Sequence, residues 1–161
     1  MIGRAGYAPS AMLRSTKLIA LAIVTGAVLV TAPALADPPT VKVFKSATCD
    51  CCKKWVDHLR AHGFAVEVND AADVDRVKRE NHVPAQVSAC HTALVGGYFV
   101  EGHVPAEDVE RLLKERPRIA GLAVPGMPIG SPGMEGPDPE PYDTLAVGTD
   151  GKATVFAPHR P

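Results

Sequence analysis

The chain has 161 residues, 46% hydrophobic but only 5% aromatic, with 17 Lys and Arg against 18 Asp and Glu. A balance this close to neutral, with no basic block, excludes nucleic acid or an anionic membrane surface as the expected partner. Once a leader is discounted, the length allows one modest core built mostly from Val, Leu and Ala, not two ordinary domains.

That leader comes first in the chain. Arg14 and Lys17 precede an apolar-to-neutral run from Leu18 to Val30, and Ala34-Leu35-Ala36 follows it. Basic region, apolar run and small-residue cleavage site, in that order, predict a secretory signal peptide. The run is shorter than the roughly 20 apolar residues of a membrane span, and Pro33 ends it. Residues 1–36 are therefore expected to be a signal peptide cleaved after about Ala36. The mature chain, 37–161, would then be periplasmic, with no stable membrane anchor. The leader carries three of the seventeen Lys and Arg and none of the eighteen acids, so the remainder bears fourteen against eighteen, a net −4. All four cysteines lie in the mature part, which export delivers to an oxidising compartment.

Val41–Lys45 alternates as a short strand, and the loop Ser46-Ala47-Thr48 carries the first cysteines into a helix. Cys52, Trp55, Val56 and Leu59 fall at i, i+3, i+4 and i+7, one apolar face, with Gly63 as its stop. Phe64–Val68 reads as a second strand. Asn69 and Asp70 are expected to cap a short helix running to about Asn81, closed by Pro84. Thr92–Val95 and Tyr98–Val100 read as strands joined at Gly96-Gly97. Pro105 opens a last helix, with Glu107 and Asp108 in its positive first turn and Pro117 after its end. The order βαβαββα over a core of 40–117 predicts an α/β protein of thioredoxin-like type, an α+β sandwich with a mixed sheet and helices on both faces. Residues 121–141 carry Gly or Pro at almost every second or third position, which predicts no helix or central strand in the loop 118–141. A hairpin around Asp150-Gly151 closes the chain over 142–157.

The chemistry is concentrated in sulfur. Cys49-Asp50-Cys51-Cys52 holds a C-x-x-C pair with an extra thiol inside it, at the start of a helix. Unpaired N–H groups and the positive end of the helix dipole favour thiolates there, and thiolates are both nucleophiles and soft-metal ligands. Cys90 precedes the third strand, where the chain passes beside the C-x-x-C in a thioredoxin-like fold, so a fourth sulfur is expected to face the other three. Three cysteines in four residues do not easily wrap one tetrahedral zinc ion. They suit several Cu(I) ions bridged by shared thiolates, since soft sulfur selects Cu(I). Three alternatives stay open: zinc or another soft ion on the same sulfurs, a thiol–disulfide oxidoreductase using Cys49 and Cys52, and a domain merely held by disulfides.

Three runs, FKSATCDCCKKWVDHLRAHGF, VPAQVSACHTALVGGYFVEGHVPAEDVERLL and GLAVPGMPIGSPGME, together resemble the CopG-type periplasmic copper-resistance proteins. The resemblance extends from about Val41 to Phe156. It implies a thioredoxin-like fold and a cysteine-bridged multinuclear copper cluster with Cys49, Cys51, Cys52 and Cys90 as ligands. It also implies other copper-resistance proteins (an exporter, an oxidase, a chaperone) as partners. Asp50 stands where a glycine is expected in that family. Candidate auxiliary donors are the imidazoles of His91 and His103 and the thioethers of Met127 and Met134, the methionines on a loop read as a lid. His58 and His62 are expected to be solvated, and Trp55 to belong to the core. The functional expectation is copper binding in copper resistance, with redox or transfer of copper left open.

Overall fold

The computed structural model of the protein describes residues 39–160, so the leader expected over 1–36 lies outside the described residues. β1 (Val41–Lys45) leads into α1 (Asp50–Ala61), β2 (Val66–Asp70) and α2 (Val74–Glu80). A 3-10 turn at Ala85–Val87 precedes β3 (Thr92–Val95), β4 (Tyr98–Gly102) and α3 (Ala106–Glu115). β5 (Gly121–Val124), β6 (Tyr142–Val147) and β7 (Ala153–His159) complete one seven-stranded sheet in the order β2-β1-β3-β4-β5-β6-β7. The β1–β2 and β4–β5 pairs are parallel and the others antiparallel.

The register divides the sheet into two faces, because successive side chains on a strand alternate. Val43 lies opposite Ala93, and Val100 lies opposite both Ala93 and Leu122. These residues form one core with Trp55, Val56 and Leu59 of α1 and Val109 and Leu112 of α3. Phe99 and Ala123 point to the other face, where they pack with Val87 and Val147. On that second face Lys78 of α2 reaches Thr92 and Glu101. The sheet is mixed and has helices on both faces, as the pattern predicted. α1 buries the four residues expected, Cys52, Trp55, Val56 and Leu59. Burying a side chain such as Leu59 contributes roughly 1.5–3 kcal/mol, and this fixes the cysteine-bearing helix against the sheet.

Three local expectations are corrected. Gly121–Val124 is a central strand, fully buried between β4 and β6, although glycine and proline follow it closely. A short strand buried on both faces shows an apolar run without alternation, and Gly121 is required because a Cβ there would strike the Phe99 carbonyl and ring. The second strand begins and ends two residues later than expected, so Asn69 and Asp70 pair with β1 and Asp73 caps α2 by accepting from the Arg76 N–H at 2.8 Å. The last strand runs on to His159, whose Nε2 lies 2.8 Å from the buried Asp108 of α3 and ties the hairpin to the core.

Candidate metal centre

Cys49 occupies the N-cap position of α1 in extended backbone, which places Cys51 and Cys52 in the first helical turn. Free N–H groups and the helix dipole concentrate positive potential there. Asp50 does not compete for it directly, since it is exposed and pairs with Lys53 at 2.9 Å. Cys90 arrives from the segment before β3. Its Sγ lies 3.5 Å from Cys52 Sγ, and Cys51 Sγ lies 3.5 Å from Cys49 Sγ. All four sulfurs are within 4.8 Å of one another. Cys49 and Cys52 form a disulfide, while Cys51 and Cys90 are free thiols. Burial, and then the neighbouring Cys51, pushes the Cys90 thiol up to about 12.

Two histidines back this sulfur cluster. His103, fully buried just after β4, has Nδ1 2.7 Å from the Pro132 carbonyl. A carbonyl only accepts, so Nδ1 carries the proton and Nε2 offers its lone pair to Cys90 Sγ at 3.1 Å. The Cys90 S–H is thereby committed to His103. The Nδ1 of His91, 3.3 Å from the same sulfur, is left to donate. His91 is also fully buried, packs tilted against Trp55 with ring centroids 4.3 Å apart, and its Nε2 has no partner among the described residues. Burial pulls both histidines below the ordinary imidazole range, so both are neutral and able to ligate.

The loop after β5 closes over this cluster. Ala89 bridges to Gly126, and Gly133 rests on the first turn of α1. A Cβ at Gly133, where φ is +86°, would stand 2.7 Å from the Cys51 carbonyl and 2.9 Å from the Trp55 nitrogen. Only glycine permits that approach. Met134, half-buried, lines a cleft of about 310 Å³ with Cys51, Lys54 and Glu135. Met127 is 52% exposed.

The structure thus brings together Cys49, Cys51, Cys52, Cys90, His91 and His103, places Met134 in a cleft with Cys51, and leaves Met127 exposed. His58 is not simply solvated: its Nε2 accepts the Ala106 N–H at 3.0 Å, capping α3 where Pro105 has no side chain to do so. His62 is exposed and pairs with Glu107. No motif in the sequence marks the Pro132 carbonyl or Glu101. A carboxylate inside the apolar run Tyr98-Phe99-Val100-Glu101 was the available signal for the latter.

Fold and site together define a mixed α/β protein with a cysteine cluster of a composition that fits copper binding. Two solved structures described as "Copper resistance protein copG", Forms 1 and 2, are each 44% identical with a TM-score of 0.73. The matches cover 77% and 76% of this chain and 99% of theirs. Residues 87–134, from the turn before Cys90 to Met134, match the family described as "Protein of unknown function, DUF411". No curated protein matches. The chain belongs to the CopG family of copper-resistance proteins.

Proposed function

We propose that this is a periplasmic copper-resistance protein that holds Cu(I) in a multinuclear cluster bridged by the thiolates of Cys49, Cys51, Cys52 and Cys90. The observation that carries this reading is the convergence of all four sulfurs within 4.8 Å at a helix N-terminus. Thiolates shared between neighbouring soft ions suit that crowding, and Cu(I) is the ion such sulfur selects. His103 and His91 are the nitrogen donors nearest the cluster, and Met134 stands where copper would pass to solvent. The export leader expected over residues 1–36 from its sequence pattern supports the location. Exchange with other copper-resistance proteins, whether exporter, oxidase or chaperone, fits a cluster at the surface end of a helix.

The disulfide sets a condition on this function. Four thiolates require two electrons to open Cys49–Cys52, so the bridged state and the full cluster exclude each other. Anaerobic reconstitution of the reduced protein with Cu(I), followed by elemental analysis, should give more than one copper per chain. The Cys51→Ser/Cys90→Ser double variant should lose most of it while keeping the fold. Unchanged stoichiometry in that variant would sink the cluster.

The Cys49–Cys52 bridge favours a second reading, a thiol–disulfide oxidoreductase. It requires turnover of a disulfide substrate without metal, with activity lost in Cys49→Ser and kept in the Cys51→Ser/Cys90→Ser variant.

A further inference from the structure

Behind the cysteine cluster, on the opposite face of the sheet, lies a charged group that copper chemistry does not call for. Glu101 is wholly buried on β4 and Lys78 nearly so on α2, and their charged ends meet in a direct ion pair. One Glu101 oxygen also accepts the Ala89 N–H at 2.7 Å, and the other accepts the Thr92 hydroxyl at 2.6 Å. Lys78 Nζ completes the group at 3.1 Å from Thr92 Oγ1. Ala89 and Thr92 immediately flank Cys90-His91. The same dipeptide is held from the front by the Gly102 N–H on the His91 carbonyl at 3.1 Å, and His103 follows Gly102 in the chain. A Cβ on Gly102 would strike Ala89 and the Val124 carbonyl, so the segment lies directly against β4 and β5.

A buried ion pair is weak evidence of stabilisation, because desolvation offsets its attraction and apolar replacements are often neutral or better. What this pair does supply is direction: three donors converge on a single carboxylate, two of them from the residues bracketing Cys90-His91. We propose that Glu101, held in place by Lys78, is a positioning residue. It clamps both flanks of Cys90-His91, sets the Cys90 sulfur against Cys52 and His103, and limits its exposure to solvent. The consequence for copper rests on the function proposed above; the placement of Cys90 does not.

The test compares two double variants in which both charges are removed, so that no lone charge stays buried. In Lys78→Met/Glu101→Gln the amide oxygen can still accept from Ala89. In Lys78→Met/Glu101→Leu nothing can. Cys90 alkylation is measured in the reduced, metal-free protein by peptide mass mapping, with Cys51 as internal reference, and Cu(I) affinity by competition with a chelator. The Met/Leu variant should still fold, with thermal stability lowered because the Ala89 N–H and the buried Thr92 hydroxyl lose their acceptor. Its Cys90 rate should rise several-fold relative to Cys51, and its Cu(I) affinity should fall about 10–100-fold, the usual scale for losing an outer-shell partner. The Met/Gln variant should stay close to wild type in both. An unchanged Cys90 rate in the Met/Leu variant overturns the proposal. So does unfolding of both doubles, which would make the pair a requirement of the fold instead. Should the wild-type protein bind no Cu(I), the cluster reading falls, and the Cys90 rates still decide this one.

Discussion

Reducing Cys49–Cys52 separates a domain stapled by its disulfide from one whose thiols are free to serve a metal. The two cysteines are three positions apart, so the bridge closes a loop of only about four residues. The chain-entropy relation for so small a loop gives about 1.9 kcal/mol of stabilisation at 25 °C. A domain of this size commonly has about 5–15 kcal/mol in total. The contacts that hold α1 do not depend on the bridge. Trp55 and Leu59 are fully buried, and the Trp55 indole N–H donates to the Val104 carbonyl at 2.8 Å. The reduced protein should therefore remain folded, with its melting temperature lowered by roughly 5–10 °C. Thermal and urea denaturation with and without a phosphine reductant, followed by near-ultraviolet circular dichroism, measures this directly. Collapse of the cooperative transition on reduction would refute the reasoning, and would return the bridge to the role of a structural staple.

Two further predictions probe the surroundings of the site. Gly133→Ala forces a side chain into left-handed backbone, at about 1–2 kcal/mol, and overpacks the first turn of α1, at about 1–3 kcal/mol. The loop should lift instead of the core yielding, so the His103 Nδ1–H resonance in nitrogen NMR should move as its bond to Pro132 is lost; an unmoved resonance would contradict the lid. His58 supplies a pH dependence: burial, and then His62, pull it below its ordinary value. The unfolded chain takes up a proton near pH 6.5 before the folded chain does. The contribution of His58 is therefore whole above about pH 6.5 and is lost as pH falls toward the depressed folded value. His62, pulled up by the His58 carbonyl, works in the opposite direction. In His58→Gln, where an amide oxygen can take the Ala106 N–H, the urea midpoint should fall less between pH 7.5 and 5.5 than in the wild type; equal slopes would exclude the cap.

The cysteine helix could be read from the chain because its signals are local. A 3.6-residue apolar period, a glycine stop and a C-x-C-C at its head all lie within fifteen residues of sequence. Pro105 before α3 and the turns at Gly96-Gly97 and Asp150-Gly151 were legible for the same reason. The central strand Gly121–Val124 was not, because its four residues show no alternation and the composition around them signals turns. What makes it a strand is pairing with β4 and β6, a property of its neighbours.

The sequence by itself determined that sulfur would gather at a helix N-terminus in a mixed α/β domain, since capping, periodicity and ligand spacing act within a few residues. Only the tertiary structure decided what meets that sulfur. Cys52 and Cys90 are 38 positions apart, His103 and Pro132 29, and His58 and Ala106 48. Strand register, the close approach allowed at Gly102 and Gly133, and burial of a carboxylate behind Cys90 bring these groups together. None of them leaves a periodic trace in the chain, because each arises from packing between elements and not from the conformation of one.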